Sequence, residues 1–395
     1  MDAFVDAEAL ARELSLEELN EAAEAYFAAV TDPSYLFAKP LGGILEAPTM
    51  LMHFAAMVYG LWLEPKDTVL DFGAGAGWTS RMLAQLDCHV IACDVSPRAL
   101  ELAQELFRVH PTLGFGEATF LRFDGRVIEL PDASVDRIAV MDAFHHVPNW
   151  PQVLSEFHRV LKPGGRVVMA EPGPAHSQTA AAQSEMRTYT VLERDVRIED
   201  IEVLARQAGF ASMAIGMYSG HPVFVPVDQF EEELATGQAA AAGMRDFLVN
   251  HRLIALSKNW DGVHTSRDGT GLAGRIDLSW AGGLHYRGTV TNIGEATWLP
   301  QEAEHGSVRL GVQILDEDGS LRTRDHQRVP LRYNPTCAVR PGQSVTVEFD
   351  VVDPGLDRYR LGFDLVSEHV AWFADVSPGV TLTTNVLPLD GALLG

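Results

Sequence analysis

Val69-Leu70-Asp71-Phe72-Gly73-Ala74-Gly75-Ala76-Gly77-Trp78 decides how the chain is read. An apolar, strand-like run ends in an acid, glycines recur at every second position, and a stretch with helical period begins. Glycine serves where a chain turns sharply and where its backbone must approach a ligand without a Cβ in the way. The start of the helix behind such a loop offers free N–H groups to an anion. Alone, this is also the pattern of an ordinary tight turn. The next strand, Ile91-Ala92-Cys93-Asp94, however, ends in an acid 23 residues after Asp71. An acid about 20 residues past a glycine turn is placed to accept hydrogen bonds from ribose hydroxyls. The register here is GxGxG behind a strand-terminal Asp, whereas a dinucleotide loop reads GxGxxG.

Outward from this loop the texture alternates. Apolar or β-branched runs at 68–72, 90–93, 118–123, 137–141 and 166–170 are separated by helical stretches at 79–86, 97–109 and 150–160. Such alternation predicts an α/β fold, a parallel sheet with helices on both faces. A helix over 199–208, a strand over 210–217, a helical insertion at about 228–249 and a last strand at 252–256 follow. Residues 1–60 read as a helical cap. Ser15-Leu16-Glu17-Glu18 is a capping box; Leu16, Leu19, Ala23, Tyr26, Phe27 and Val30 then share a helix face. A second helix is expected from Pro48, with Met50, Leu51, Phe54, Met57 and Val58 on its core side.

The alternating domain is expected over 61–258, a Gly-, Asp- and Ser-rich linker over 259–273, and a different domain over 274–395. There the helical period disappears and six or seven short alternating runs predict an all-β sandwich of immunoglobulin-like size.

The chain has 395 residues, 54 Asp and Glu against 30 Lys and Arg, and a formal charge of −24. Only four of the basic residues are Lys and no basic run exists, so nucleic acid is not expected as a partner. With 47% apolar residues there is material for real cores. Cys88, Cys93 and Cys337 have no CxxC spacing, so neither a disulfide framework nor a zinc site is expected. The N-terminal sequence lacks a basic head followed by an apolar run, and the apolar window 44–63 is interrupted by Glu46, Pro48 and His53. No signal peptide and no membrane insertion are expected, and the expected location is cytoplasmic. Residues 1–60 carry 10 acids against 2 bases and are expected to lie away from the reacting site, so the charge reads as solubility.

At the glycine register the sequence resembles the class I S-adenosylmethionine (SAM)-dependent methyltransferases, and four further stations agree. These are Phe123-Asp124-Gly125, Leu130-Pro131-Asp132-Ala133-Ser134-Val135-Asp136, His145-His146-Val147-Pro148 and Leu161-Lys162-Pro163-Gly164-Gly165. The resemblance spans about residues 40–258 and implies a Rossmann-like sheet and SAM as cofactor. It implies that Gly73, Gly75 and Gly77 line the methionine and ribose, with Asp71 supporting the loop. Asp94 would hold the ribose hydroxyls, Val95 would pack on adenine, and Asp124 with Gly125 would read the adenine edge. Asp142 is counted with the cofactor contacts.

An acceptor in this fold lies beyond the carboxyl ends of strands four and five. His145 and His146 follow strand four and Glu171 ends strand five, which makes these three the catalytic candidates, with a histidine as general base. The layout is similar to that of small-molecule sugar O-methyltransferases, although a structural role for one histidine stays open. A metal set of Asp142, His145 and Glu171 is weighed and no metal is assigned. The Asn/Asp-Pro-Pro-aromatic motif of base N-methylating enzymes is missing, and so is the double-glutamate hairpin of protein arginine methyltransferases. Residues 172–198 and 218–249 are expected to form an acceptor lid, with His176, Arg187, Tyr189 and Arg194 as solvated residues of the first segment.

In the C-terminal domain, Asn292 to Trp298 (NxGxxxW) resembles an Ig-like domain of autophagy receptors and bacterial cell-surface polysaccharide enzymes. Asn292 and Gly294 suit a turn and Trp298 a plug of the sandwich end, while Trp260, Trp280, Trp298 and Trp372 offer faces for sugar rings. The expected function is therefore O-methylation of a carbohydrate or polysaccharide precursor, with a protein partner or self-association through the β-sandwich. The rivals are a natural-product or quinone small-molecule methyltransferase and a non-catalytic scaffold of the same fold.

Overall fold

The computed structural model describes residues 4–113, 116–331, 338–377, 381–384 and 387; Cys337 lies outside them. The chain divides into two compact units, Met1–Asn259 and Trp260–Gly395.

The first unit opens with α1 (Ala7–Glu13), α2 (Leu16–Ala28), α3 (Ser34–Ala38) and α4 (Ala47–Leu61). The capping box forms: Ser15 N–H donates to Glu18 Oε2 at 2.8 Å, and Glu18 N–H donates to Ser15 Oγ at 3.2 Å. On α4 the core side is His53, Phe54, Met57 and Leu61; Leu51, expected there, is instead exposed because the buried stripe runs one residue away from it.

The alternating part follows as β1 (Thr68–Phe72), α5 (Trp78–Gln85), β2 (His89–Asp94), α6 (Pro97–Val109), β3 (Ala118–Arg122), β4 (Val135–Met141), α7 (Trp150–Val160) and β5 (Leu161–Pro172). It continues with α8 (Ala180–Tyr189), α9 (Ile198–Ala208), β6 (Ser212–Ile215), α10 (Phe230–Thr236), α11 (Gln238–Asn250) and β7 (His251–Ser257). One seven-stranded sheet results, in the order β3-β2-β1-β4-β5-β7-β6.

Successive side chains of a strand point to opposite faces, so each strand feeds two cores. Leu70, Ile138, Val140, Val167 and Met169 pack with Phe157 of α7 and Ile201 of α9. Val69, Ala139, Val168 and Leu253 pack with Met57 of α4 and Leu83 of α5. Each fully buried Leu, Phe or Ile here contributes roughly 1.5–3 kcal/mol.

The sheet is mixed where strand–helix alternation predicted it parallel. β1 pairs parallel with β2 and β4, and β4 with β5, but β7 runs antiparallel to both β5 and β6. The reason is the excursion 216–250. It leaves β6 and returns at His251 beside Pro172, at the same end of the sheet, and a chain that returns at the end it left must enter antiparallel. The insertion at 228–249 is two helices, broken at Gly237, whose φ of 62° ends α10.

The second unit is antiparallel β throughout its sheets. One contains β10 (Val308–Leu315), β11 (Leu321–Pro330), β13 (Arg360–Ser367), β14 (Ala371–Trp372) and β15 (Leu382–Thr383); the other contains β8 (Gly274–Gly282), β9 (His285–Asn292) and β12 (Ser344–Asp350). Both contribute to one core, in which Ile276, Tyr286 and Val290 meet Leu310, Val312, Leu361 and Phe363. Asn292 Nδ2 donates to the carbonyls of Ala296 and Val339 at 2.9 and 2.8 Å, and its Oδ1 accepts from Gly294 N–H. A Cβ on Gly294 would lie 2.2 Å from the Gly271 carbonyl oxygen. Trp298 is fully buried, edge-on to Phe373. The NxGxxxW residues thus close the turn and the end of the core. Ser266, in the stretch expected as a linker, is fully buried; its hydroxyl donates to Gly306 O and accepts from Leu299 N–H.

Candidate active site

The glycine loop leaves β1 and turns into α5 through Gly73, Gly75 and Gly77, all at positive φ. A Cβ on Gly73 would sit 2.3 Å from the Cβ of Ala143, so only glycine lets the loop pass the chain leaving β4. Gly75, at φ 52°, has its N–H bound to Asp94 Oδ2 at 2.8 Å. The other oxygen of Asp94 accepts from Ser96 N–H at 2.9 Å. Two of the carboxylate's roughly four acceptor positions remain for a ligand. Burial raises this carboxyl above the usual Asp value. Asp71 lies beneath the loop, buried, and accepts from Ser80 Oγ at 2.5 Å. Burial pushes it up to about 7.

A cavity of about 270 Å³ opens above this loop. Gly73, Gly75, Asp94, Val95, Gly125, Asp142 and His146 line it; Asp71, Gly77, Asp124, His145 and Glu171 do not. Asp124 is exposed, and its Oδ1 accepts from the N–H groups of Arg126 and Val127 at 2.7 and 2.9 Å, which holds its pKa down. Those two bonds tie Oδ1 to its own turn, and the side chain is not among those that line the cavity. Gly125 keeps its place at the cavity, its carbonyl held by Asn149 Nδ2 at 2.8 Å.

Helix α2 forms a wall of the cavity through Leu16, Leu19, Asn20, Ala23, Tyr26 and Phe27. The N-terminal helices therefore do not stand away from the site, and their charge is partly structural. Glu24 accepts from Ser96 Oγ at 2.6 Å and from Arg98 N–H at 3.1 Å, while Glu17 pairs with Arg126 at 2.6 Å. Asn20 donates to the Asp124 carbonyl at 3.0 Å. The apolar face of α2 was legible in the sequence. That a ligand cavity, rather than solid core, lies under it was not.

Beyond β4 and β5 the expected catalytic residues lie together, but only His146 lines the cavity. Glu171 is buried at the end of β5; Oε1 accepts from the N–H groups of Ala143 and Phe144 at 3.0 and 2.8 Å, and Oε2 from His145 N–H at 3.2 Å. Burial raises its pKa to about 7 against the pull of those donors. His145 Nδ1 lies 2.7 Å from Glu171 Oε2 and burial lowers its pKa to about 4. His146 reaches the cavity. Its Nδ1 lies 2.7 Å from the Leu192 carbonyl, which can only accept, so Nδ1 carries the proton and Nε2 keeps its lone pair. Burial and the adjacent His145, ring centroids 3.9 Å apart, lower its pKa. Asp142, at φ 50°, faces the same cavity with its pKa raised to about 6, by desolvation first and Glu171 second.

The residues expected as solvated behave differently, because the segment after β5 folds back over the β4 loop. Only Arg187 is exposed. His176 Nε2 lies 2.7 Å from Glu193 Oε2. The Arg194 guanidinium stacks 3.7 Å over Trp150 and its Nε pairs with Glu8 at 2.8 Å. Tyr189 packs edge-on against Tyr26 of α2, 5.3 Å between centroids. Among the described residues no helix is long and apolar enough to cross a membrane.

The family model described as a methyltransferase domain matches residues 70–169. The chain is 30% identical over 173 residues to sterol 24-C-methyltransferase of Eremothecium gossypii, covering 42% of this chain and 45% of that protein. It is 36% identical over 129 residues to 2-methyl-6-phytyl-1,4-hydroquinone methyltransferase of Synechocystis, covering 32% and 39%. Among solved structures, phosphoethanolamine N-methyltransferase 2 of Haemonchus contortus superposes with a TM-score of 0.44 at 18% identity, covering 63% of this chain and 61% of that one. The chain spans under half the length of the sterol relatives it matches. Demethylmenaquinone methyltransferase of Symbiobacterium thermophilum is 30% identical over 181 residues, 37% of this chain and 69% of that protein. On that match, and with its glycine loop and strand order as described, the chain belongs to the class I SAM-dependent methyltransferases.

Proposed function

We propose that this protein transfers a methyl group from SAM to a small, largely apolar acceptor carrying an ionisable hydroxyl, with His146 as general base. The observation that carries the reading is His146 itself: it lies on the cavity wall, with Nδ1–H held by Leu192 and Nε2 left basic. When bound, the cofactor supplies a methyl group on a positively charged sulfur. The glycine loop and Asp94 would hold its methionine and ribose, and Val95 and Gly125 the adenine. His146 Nε2 would take the acceptor proton as the hydroxyl attacks, a contribution of about 10²–10⁴-fold. Asp142 would orient the acceptor beside it, and Glu171 would hold the loop that carries both histidines.

Leu36, Met50, Tyr26, Phe27 and Trp78 line the cavity, which suits an aromatic or isoprenoid acceptor better than a sugar. The names of the quinol and sterol relatives agree with that acceptor class, although the sterol relative's name places its methyl on carbon. The carbohydrate acceptor expected from the sequence rests in part on tryptophan faces. Trp298 is fully buried and Trp372 packs against Arg324 and Arg328, which weakens it. In this reading residues 1–60 cap the transferase domain, 61–258, and the immunoglobulin-like part, 274–395, is a docking module. A panel of hydroquinone, phenolic and glycoside acceptors with methyl-labelled SAM tests the proposal. Label on a hydroquinone or phenol is expected; label on glycosides alone would overturn it.

A further inference from the structure

Behind the His146 wall lies a second cluster that the methyl-transfer reading does not use. Among the described residues, His145, His176 and Glu193 bring one ligand atom each to within 4.8 Å of one another. His145 comes from the loop after β4, and the other two from the segment between β5 and α9. Glu193 Oε2 lies 2.7 Å from His176 Nε2 and 3.6 Å from His145 Nε2. Two of the three are buried, Glu193 at 3% exposed and His145 at 4%, while His176 is partly exposed.

Two independent observations point to a ligand. First, Glu193 Oε1 is buried without a well-formed hydrogen bond: His146 Nδ1 lies 3.4 Å away with its proton directed at Leu192, and the other neighbour of this carboxylate is a second acid, Glu185. A buried carboxylate oxygen left in this state is costly. Second, His145 is prepared as a ligand. The Glu171 carboxylate accepts from Nδ1–H, so Nε2 presents a lone pair toward Glu193. A carboxylate behind the far nitrogen of a metal-binding histidine fixes its tautomer and raises its basicity.

We infer that His145 Nε2, His176 Nε2 and the Glu193 carboxylate form a binding site for a zinc-class divalent transition-metal ion. Two imidazoles and one carboxylate suit Zn²⁺ or Fe²⁺, whereas Mg²⁺ and Ca²⁺ prefer all-oxygen sets. Three protein ligands leave a position for water or another donor. Binding breaks the His176–Glu193 hydrogen bond; the His176 Nε2 proton is released to solvent and its lone pair goes to the metal. The ion then joins the loop after β4 to the segment after β5, pinning the wall on which His146 sits. This runs against the sequence expectation, which assigned no metal and treated His176 as solvated. It does not rest on the methyltransferase assignment.

The test uses the full chain after chelation and dialysis. Co²⁺ is added with its visible absorption as readout, then Zn²⁺ is added in competition. Wild type is expected to give a saturable spectrum at one equivalent, which Zn²⁺ bleaches. His176→Ala removes a partly exposed ligand, and Glu193→Gln the central one. Each is expected to weaken Co²⁺ binding by about 100-fold or more, beyond the range of about 10–100-fold typical of losing an outer-shell partner. His285→Ala is the control: this histidine contacts Glu348 and Asp350 at 3.0 and 2.9 Å in the other unit and could bind metal adventitiously. Absence of stoichiometric binding by wild type, or unchanged binding in His176→Ala, overturns the inference. Loss of binding in His285→Ala alone overturns it equally. Circular dichroism identifies a variant that fails to fold, and His176→Ala then decides.

Discussion

His146 Nδ1 lies 2.7 Å from the carbonyl oxygen of Leu192, a residue 46 positions further along the chain. That contact fixes which ring nitrogen carries the proton, and so which one can accept another. It also makes the geometry of the base depend on the segment between β5 and α9. His145, its neighbour in sequence, has its Nδ1 bound to Glu171 instead. Two neighbouring histidines are thereby given different work by the partner of each Nδ1 atom.

His146→Ala is expected to lower kcat by about 10²–10⁴-fold while leaving cofactor affinity within a few-fold. Steady-state kinetics on an active acceptor, with calorimetry of SAM binding, check this. Unchanged kcat would remove His146 as the base.

Glu171→Ala is expected to destabilise the first unit by about 3 kcal/mol or more. It leaves the N–H groups of Ala143, Phe144 and His145 and the His145 ring unpartnered in a buried site, each at about 1–3 kcal/mol before relaxation. Urea denaturation measures the loss. Stability equal to wild type would show that the carboxylate does not hold this loop.

Asp94→Ala is expected to weaken SAM binding by at least about 100-fold. Two charge-assisted hydrogen bonds at about 1.5–3 kcal/mol each are at stake, and the anchor of Gly75 N–H goes with them. The carboxyl is raised by burial, so wild-type affinity should already fall on acidification at a pH above the ordinary Asp range, as the carboxylate gains a proton. Calorimetry across pH reads both effects.

Gly73→Ala is expected to cost about 1–3 kcal/mol and to depress turnover. The residue is at φ 72° and its new Cβ would overlap that of Ala143. Thermal unfolding together with kcat checks this. Gly237→Ala is a useful comparison, since it shares the positive φ (62°) but meets nothing within 4 Å. It should show the backbone cost alone.

Glu24→Ala is expected to raise the Kd for SAM by about 3–10-fold, since two hydrogen bonds tie α2 over the cavity through this carboxylate. Calorimetry checks it, and an unchanged Kd would mean that α2 closes the cavity without them.

The amino-acid sequence by itself determined the local elements and the order of the stations. The helices at 97–109 and 150–160 coincide with α6 and α7, and β1 with the run at 68–72. These follow from short-range causes: Ser96 capping and Pro97 opening α6, periodicity at 3.6 and 2, and glycine where φ must be positive. Asp94 and the glycine loop were legible for the same reason, since a strand, a turn and a helix start lie within a few residues of one another. Only the tertiary structure decided what depends on distant pairs. It reversed β7, whose direction is set by where a 35-residue excursion returns. It laid α2 over the cavity through Glu24 and Asn20, tied Asp124 Oδ1 to its own turn, and buried Trp298. It also gave His145 and His146 different hydrogen-bond partners, Glu171 and the Leu192 carbonyl, and brought His176 and Glu193 beside His145. Direction, burial and hydrogen-bond partnership are properties of pairs, and no spacing along one strand of sequence specifies them.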